Sequence, residues 1–259
     1  MNDTTQNFRL GGEREINRLG FGAMRLTGQP GNFGPYPNWE QGKRLLRRAV
    51  ELGVEFFDSA RAYGPEWADK LLADALHPYA DKVVVATKGG VDKLAPDQIV
   101  TDGRPQTLLR QVDAALTNLK LERIELFQLH RVDPKVDIEE SVGALEAARN
   151  AGKLRFIGLS NVNREQLDRA LRVAPIASLQ NRYNRAEREQ DALVDYTARK
   201  GIAFIPYGPL GAHPMKQGAA LPARESLAWL LERSPNIVVI PGTTSIAHLE
   251  ENVLARDLL

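Results

Sequence analysis

The sequence predicts an α/β protein, a single-domain (β/α)8 barrel, and three observations carry that expectation. Eight short apolar runs recur along the chain, at 18–22, 54–58, 83–87, 124–130, 156–160, 178–181, 203–207 and 237–241. The runs are mostly continuous rather than alternating, as parallel strands covered on both faces require. Amphipathic stretches separate them, and strand–helix alternation repeated eight times fits a closed barrel better than an open doubly wound sheet.

The helical stretches can be read one by one. In 39–53, Leu45, Leu46, Ala49, Val50 and Leu52 share one face and the charges take the other. The stretches 104–121, 137–152, 164–174, 191–201 and 224–234 follow the same period. Several end in glycine or in a basic last turn, as helix C-termini prefer. Asp137 and Ser141 stand where acidic or hydroxyl side chains cap a helix start. Gly64 and Pro65 end a loop before another helix. Residues 1–17 form an N-terminal segment expected to fold as a β-hairpin closing the barrel bottom. Two Gly/Pro-rich stretches, 27–38 and 208–222, read as loops at the C-terminal mouth, where such barrels build their sites.

Composition excludes several classes of function. The chain has 259 residues, with 34 Lys plus Arg against 33 Asp plus Glu, a net charge of +1. That balance gives no electrostatic footprint for nucleic acid or an anionic membrane. There is no cysteine, so disulfides, thiolate metal sites and cysteine nucleophiles are absent. No apolar run approaches the ~20 residues of a membrane span. The polar N-terminus lacks an apolar signal core, and a cytoplasmic location is expected. No His/Asp/Glu cluster has metal-ligand spacing, so no metal is expected. The sequence does not set the oligomeric state.

Polar residues then fall where a barrel puts chemistry. Asp58 ends the second run, Lys88 follows the third and His130 ends the fourth; Tyr63 sits on the loop just past Asp58. A free tyrosine titrates near ~10, too high for an efficient acid at neutral pH. An ammonium nearby favours the phenolate and lowers that value, and a carboxylate beside the ammonium keeps it charged when buried. The expected product is a tuned phenol able to protonate an oxygen as it becomes an alkoxide. Singly, each residue has an ordinary alternative: a cap, a packing ring, a solvated turn lysine, a satisfied structural histidine. Together, in this order, they form a proton-transfer set.

These four residues resemble the catalytic tetrad of the aldo-keto reductase superfamily. So do the segments LGFGAMRL (19–26), DSARAYG (58–64), ELFQLHRVD (125–133), GKLRFIGLSN (152–161), SLQNRYN (178–184), PYGPLG (206–211) and IPGTTSIAHLEEN (240–252). Within the family, the chain looks most like a bacterial branch related to pyridoxal reductases. The resemblance implies NADPH, with NADH as the alternative, lying across the barrel mouth and passing hydride to a carbonyl carbon. It implies Tyr63 as general acid, Lys88 lowering its pKa, Asp58 pairing with Lys88, and His130 orienting the carbonyl. Gly22, Ala23, Met24 and Asp58 would lie along the cofactor. Ser160, Asn161 and Gln180 would hold the carboxamide, and Tyr207 would stack on the nicotinamide. Gly208, Pro209 and Leu210 would run beside the pyrophosphate. Gly242, Thr243, Thr244 and His248 would surround the adenosine phosphate, with Glu251 and Asn252 at the adenine.

Two departures qualify what the resemblance implies. The best-known members place a lysine after the proline of strand 8 and an arginine six residues later, where this chain has Gly242 and His248. Backbone N–H groups at a helix N-terminus can hold phosphate without either, which keeps NADPH the expected cofactor. The chain also stops at Leu259, where family members usually continue, so an open, permissive pocket is expected. Phe33, Trp39 and Trp67 are the expected pocket-wall residues, in variable loops that also include 91–104 and 213–220. The substrate would be a small-molecule aldehyde or ketone, pyridoxal-like and other aromatic aldehydes among them. The runner-up reading is a cofactor-binding, redox-sensing module with little turnover, as in the potassium-channel β subunits that resemble this family. A phosphate-handling isomerase barrel leaves the GLSN, SLQN and PYGPLG segments unexplained.

Overall fold

The computed structural model describes residues 6–211 and 222–258. It opens with a hairpin, β1 (Asn7–Leu10) and β2 (Arg14–Asn17), paired antiparallel. Its tight turn runs through Gly11, at φ +60°, where a Cβ would stand 2.3 Å from a ring carbon of Phe156. Glycine is therefore required both by backbone conformation and by space. Leu10 and Ile16 of the hairpin are buried against inward-facing side chains of the barrel, so the hairpin plugs its floor.

Seven strands make one parallel sheet. They are β3 (Phe21–Gly22), β4 (Phe56–Asp58), β5 (Val84–Gly89), β8 (Ile124–Leu129), β9 (Leu154–Ser160), β10 (Ile176–Gln180) and β11 (Ala203–Phe204). Their order is β11-β10-β9-β8-β5-β4-β3. Residues 237–241 close the circle. Val239 N–H donates to Arg18 O and Gly20 N–H to Val239 O, both at 2.8 Å, while Val238 N–H donates to Phe204 O at 2.9 Å. The eighth run is thus hydrogen-bonded on both sides, although it forms only isolated bridges rather than a continuous ladder. Pro206 and Pro241 bring no N–H to the ladder, which is why the seventh and eighth strands are shorter than the apolar runs that predict them.

Continuous apolar runs are needed because each strand feeds two cores. Phe56, Val84, Leu126, Ile205 and Val238 face the barrel interior. Their neighbours Phe57, Val85, Phe127, Phe204 and Val239 face the helices, as the period-two pleat dictates. The helices are α1 (Trp39–Glu51), α2 (Trp67–Leu76), α3 (Pro105–Leu119), α4 (Ile138–Asn150), α5 (Arg164–Leu171), α6 (Asp191–Arg199), α7 (Ala223–Arg233) and α8 (Ile246–Val253). Gly53, Gly152 and Gly201, the glycines after α1, α4 and α6, all have positive φ, as expected for helix ends. The second hairpin, β6 (Val91–Ala95) with β7 (Gln98–Thr101), occupies a stretch that the sequence reads only as a variable loop.

The capping expectations are corrected. Asp137 is the N-cap of α4 but makes no side-chain cap; its carboxylate accepts from Arg169 at 3.1 Å. Ser141 Oγ donates to Gly103 O at 2.7 Å instead of capping. A full capping box stands at α5, where Asn163 and Gln166 satisfy each other's backbone N–H groups. No helix among the described residues is long and apolar enough to cross a membrane.

Candidate active site

The strand ends deliver four side chains to one mouth. Asp58 is the last residue of β4, and its neighbour in register, Ala86, lies two residues before Lys88 on β5. Lys88 belongs to the strand rather than following it, and His130 comes one residue after β8 ends. The turn carrying Tyr63 is tied to β5 through the backbone. Ser59 N–H donates to Ala86 O at 2.7 Å, Arg61 N–H to Lys88 O at 3.0 Å, and Tyr63 N–H to Ala60 O at 2.9 Å. Arg61 adds side-chain clamps to Glu66 and to Asp92, the latter at 2.5 Å.

Lys88 sits at the centre. Its Nζ donates to Asp58 Oδ1 at 2.8 Å and Oδ2 at 2.7 Å, to Ser59 O at 2.8 Å, and more weakly to Tyr63 OH at 3.4 Å. Asp58 and Lys88 are almost fully buried. Burial disfavours the ammonium, but the charges of Asp58 and Tyr63 and the hydrogen bonds to both together outweigh it, and the lysine pKa is raised. Asp58 Oδ1 also accepts from Gln180 Nε2 at 2.8 Å and Gln128 Nε2 at 3.4 Å. Gln128 is a site residue that the sequence does not single out; only its place two residues before His130 hints at it.

The phenol departs from expectation. Burial pushes Tyr63 above its ordinary value, and the Lys88 charge, which pulls the other way, does not overcome it. In the protein alone the phenol therefore keeps its proton more firmly than a free tyrosine. Tyr63 and His130 meet edge to face, with ring centroids 6.0 Å apart. Burial, then the charges of Lys88 and Arg131, hold His130 well below 6.5, so the imidazole is neutral at neutral pH. Its Nδ1 is buried with no hydrogen-bond partner among the described residues.

Asn161 organises the opposite wall. It adopts left-handed backbone at φ 57°, which asparagine tolerates better than most residues. Its Nδ2 donates to His130 O at 3.1 Å and Ser160 Oγ at 3.0 Å, and its Oδ1 accepts from Tyr207 OH at 2.8 Å. Tyr207 is thereby fixed at the rim. Below Lys88 lies a further buried carboxylate, Asp69 of α2, whose two oxygens accept from Thr87 Oγ1 at 3.1 Å. Burial raises its pKa to about 6.

A cavity of about 430 Å³ opens over this set, bounded by Asp58, Tyr63, His130, Ser160, Asn161, Gln180, Tyr207, Gly208, Pro209, Leu210, Gly22, Met24 and Gly242. Ala23, Thr243, Thr244, His248, Glu251 and Asn252 lie outside that lining. Phe33, Trp39 and Trp67 also lie outside it. Trp39 and Trp67 pack edge to face at 5.9 Å, Trp39 donates to Asp74, and Phe33 is exposed. The 213–220 loop falls outside the described residues, as does most of 208–222. A second cavity of about 510 Å³, between the starts of α5 and α6, shares Asn161, Arg182 and Tyr207 but none of Asp58, Tyr63, Lys88 and His130.

The glycines of the floor answer the absent lysine. A Cβ on Gly242 would stand 2.7 Å from Gly22 O, and one on Gly22 would stand 2.7 Å from Ile240 O. No side chain fits at 242 without separating the first and eighth strands. Arg25 comes closest from the side, its Cγ 3.7 Å from that Cβ position. It is an unpaired cation among the described residues and lines the same cavity.

Comparison with known proteins agrees with this architecture. The profile described as "Aldo/keto reductase family" matches residues 18–219. An uncharacterized oxidoreductase of Schizosaccharomyces pombe is 38% identical over 258 residues, covering 95% of this chain and 84% of its own. Pyridoxine 4-dehydrogenase of Escherichia coli is 37% identical over 263 residues, covering 95% and 92%. An aldo-keto reductase from Klebsiella pneumoniae, solved in complex with NADPH, superposes with a TM-score of 0.80 at 23% identity, covering 97% of this chain and 89% of that one, a likeness of fold. With the profile spanning most of the chain and relatives above 30% identity along nearly all of it, the chain belongs to the aldo/keto reductase family and is an NAD(P)H-dependent oxidoreductase.

Proposed function

We propose that the protein reduces an aldehyde or ketone to the alcohol with NADPH, Tyr63 giving the proton to the carbonyl oxygen. One observation carries the reading: Lys88, its three N–H groups directed mainly at the Asp58 carboxylate and Ser59 O, also stands within a long hydrogen-bond distance, 3.4 Å, of the Tyr63 oxygen. Accepting from Lys88 leaves the phenol's own O–H free to point into the cavity. The raised pKa keeps that proton in place until a much more basic alkoxide develops. The buried ammonium then stabilises the phenolate left behind.

The cavity suits an elongated anionic cofactor. Gly22 and Gly242 leave the floor clear of side chains, and Arg25, without an ion-pair partner among the described residues, lines the cavity beside it. When bound, NADPH supplies the hydride. Ser160, Asn161 and the side-chain carbonyl of Gln180 would hold its carboxamide, and Tyr207, anchored by Asn161, would cover the ring. Neutral His130 can donate one N–H to the substrate oxygen without competing for the proton that Tyr63 carries. Pyridoxal and related aromatic aldehydes head the substrate candidates, since the E. coli relative is named for pyridoxine oxidation. The setting we infer is the cytoplasm, where reduced dinucleotide is kept in supply.

A panel of aldehydes and ketones run in parallel with NADPH and NADH tests the reading. Turnover with NADPH, and lower kcat/KM with NADH, is the expected result. Cofactor binding without oxidation by any carbonyl compound would reject the enzyme and leave a cofactor-binding module.

A further inference from the structure

The cavity carries more positive charge than its chemistry consumes. Its wall holds Arg25, Arg131 and Arg182, against one carboxylate, Asp58, which is already bound to Lys88. Arg182 is paired with Glu187 at 2.8 Å. Arg25 and Arg131 have no hydrogen-bond or ion-pair partner among the described residues.

The two free arginines serve different ends. Arg25 stands beside Gly242, at the end of the cavity assigned above to the cofactor's phosphate. Arg131 stands at the reacting end, exposed at the rim directly after His130. Its charge reaches both neighbours there: it adds to the influences that hold His130 down, and with Arg182 it opposes the rise that burial imposes on Tyr207. Asp133, two residues on, is committed to Gly103 N–H at 3.0 Å and to Lys135 N–H at 2.9 Å and does not neutralise it. A guanidinium without a counterion among the described residues, beside the proton-transfer set, is a ready receptor for an oxyanion, with a planar fork that matches carboxylate or phosphate.

We propose that Arg131 binds a negative charge on the substrate, so that the preferred carbonyl compounds carry a carboxylate or phosphate. This rests on the carbonyl reduction proposed above and names its substrate class. It also gives Arg131 a positioning role: the anion seated on the guanidinium sets where the carbonyl falls between Tyr63 and His130.

The test compares 4-carboxybenzaldehyde and 4-formylphenyl phosphate with the neutral methyl 4-formylbenzoate, in the full-length protein and its Arg131→Met and Arg131→Lys variants. Arg131→Met is expected to lower kcat/KM for the better anionic aldehyde roughly 10- to 100-fold, mainly through KM, with Arg131→Lys restoring part of it. The neutral ester and the NADPH dissociation constant should stay within about twofold. An equal loss for charged and neutral aldehydes, or a parallel loss of NADPH affinity, overturns the inference. Which anion suffers more identifies carboxylate or phosphate as the natural group. Calorimetric titration of benzoate and phenyl phosphate into the NADPH-bound protein gives a readout independent of turnover. Binding lost in Arg131→Met supports the assignment even if no aldehyde is reduced, an outcome that rejects the proposed reaction alone. Reduction of neutral aldehydes with neither anion bound rejects Arg131 alone.

Discussion

Lys88 donates to both carboxylate oxygens of Asp58, at 2.8 and 2.7 Å, in a place where both side chains are almost fully buried. An ammonium so placed stays charged, and a charged lysine 3.4 Å from Tyr63 OH underlies the proton transfer proposed for the barrel mouth. The pair also makes structure and activity interdependent, because removing one partner leaves a buried charge alone.

Lys88→Met should therefore fail in two measurable ways. Turnover falls at least ~100-fold, since the phenolate loses the ammonium beside it. Stability in denaturant titration falls by about 3–5 kcal/mol, the usual cost of orphaning a buried charge. The double variant Asp58→Asn/Lys88→Met should recover much of the stability and none of the turnover. Recovery of both would show that the lysine is a structural element alone.

Asp69 gives the stability a pH signature. Its folded-state pKa of about 6 lies above the ordinary 3.8, so the folded protein holds the proton where the unfolded chain has released it. Stability from this group is present below pH 3.8, declines as pH rises, and is fully lost above about 6. Asp69→Asn should accordingly gain on the wild type between those limits, by up to about 3 kcal/mol. Melting temperatures of the two proteins at pH 4 and pH 8 decide it: the difference should move in favour of asparagine at the higher pH.

Arg25→Met addresses the phosphate end of the cofactor. With Gly242 barred from carrying a side chain, Arg25, whose Cγ lies 3.7 Å from the Cβ position there, is a cationic side chain lining that floor. The variant should weaken NADPH binding roughly tenfold, as loss of a charge-assisted contact does, and affect NADH less. Fluorescence titration with both dinucleotides measures this. Equal weakening would assign Arg25 to the pyrophosphate instead.

Much of the architecture is legible in the sequence because each strand must satisfy two cores at once. Phe56 with Phe57, and Val84 with Val85, read as continuous apolar runs for that reason. The polar residues that interrupt the pattern at strand ends, Asp58 and His130, stand out against it. What stays hidden depends on contacts distant in sequence. Gln128 and Thr87 look like minor polar breaks in apolar strands until Asp58 and Asp69 are brought beside them. The direction of the Tyr63 shift is equally invisible, because proximity to Lys88 can be guessed from the motif whereas the extent of burial cannot. Prolines 206 and 241 trimmed strands that hydrophobicity alone extends. The β6–β7 hairpin was obscured by an exposed face carrying Leu94, Ile99 and Val100.

The most direct test of the account is single-turnover oxidation of bound NADPH by an aldehyde in Tyr63→Phe. The ring contact with His130 and the cavity shape survive that change, and only the hydroxyl beside Lys88 is lost. Unchanged NADPH affinity with a hydride-transfer rate at least ~100-fold lower is the predicted result. A rate close to that of the wild type would contradict Tyr63 as the proton donor.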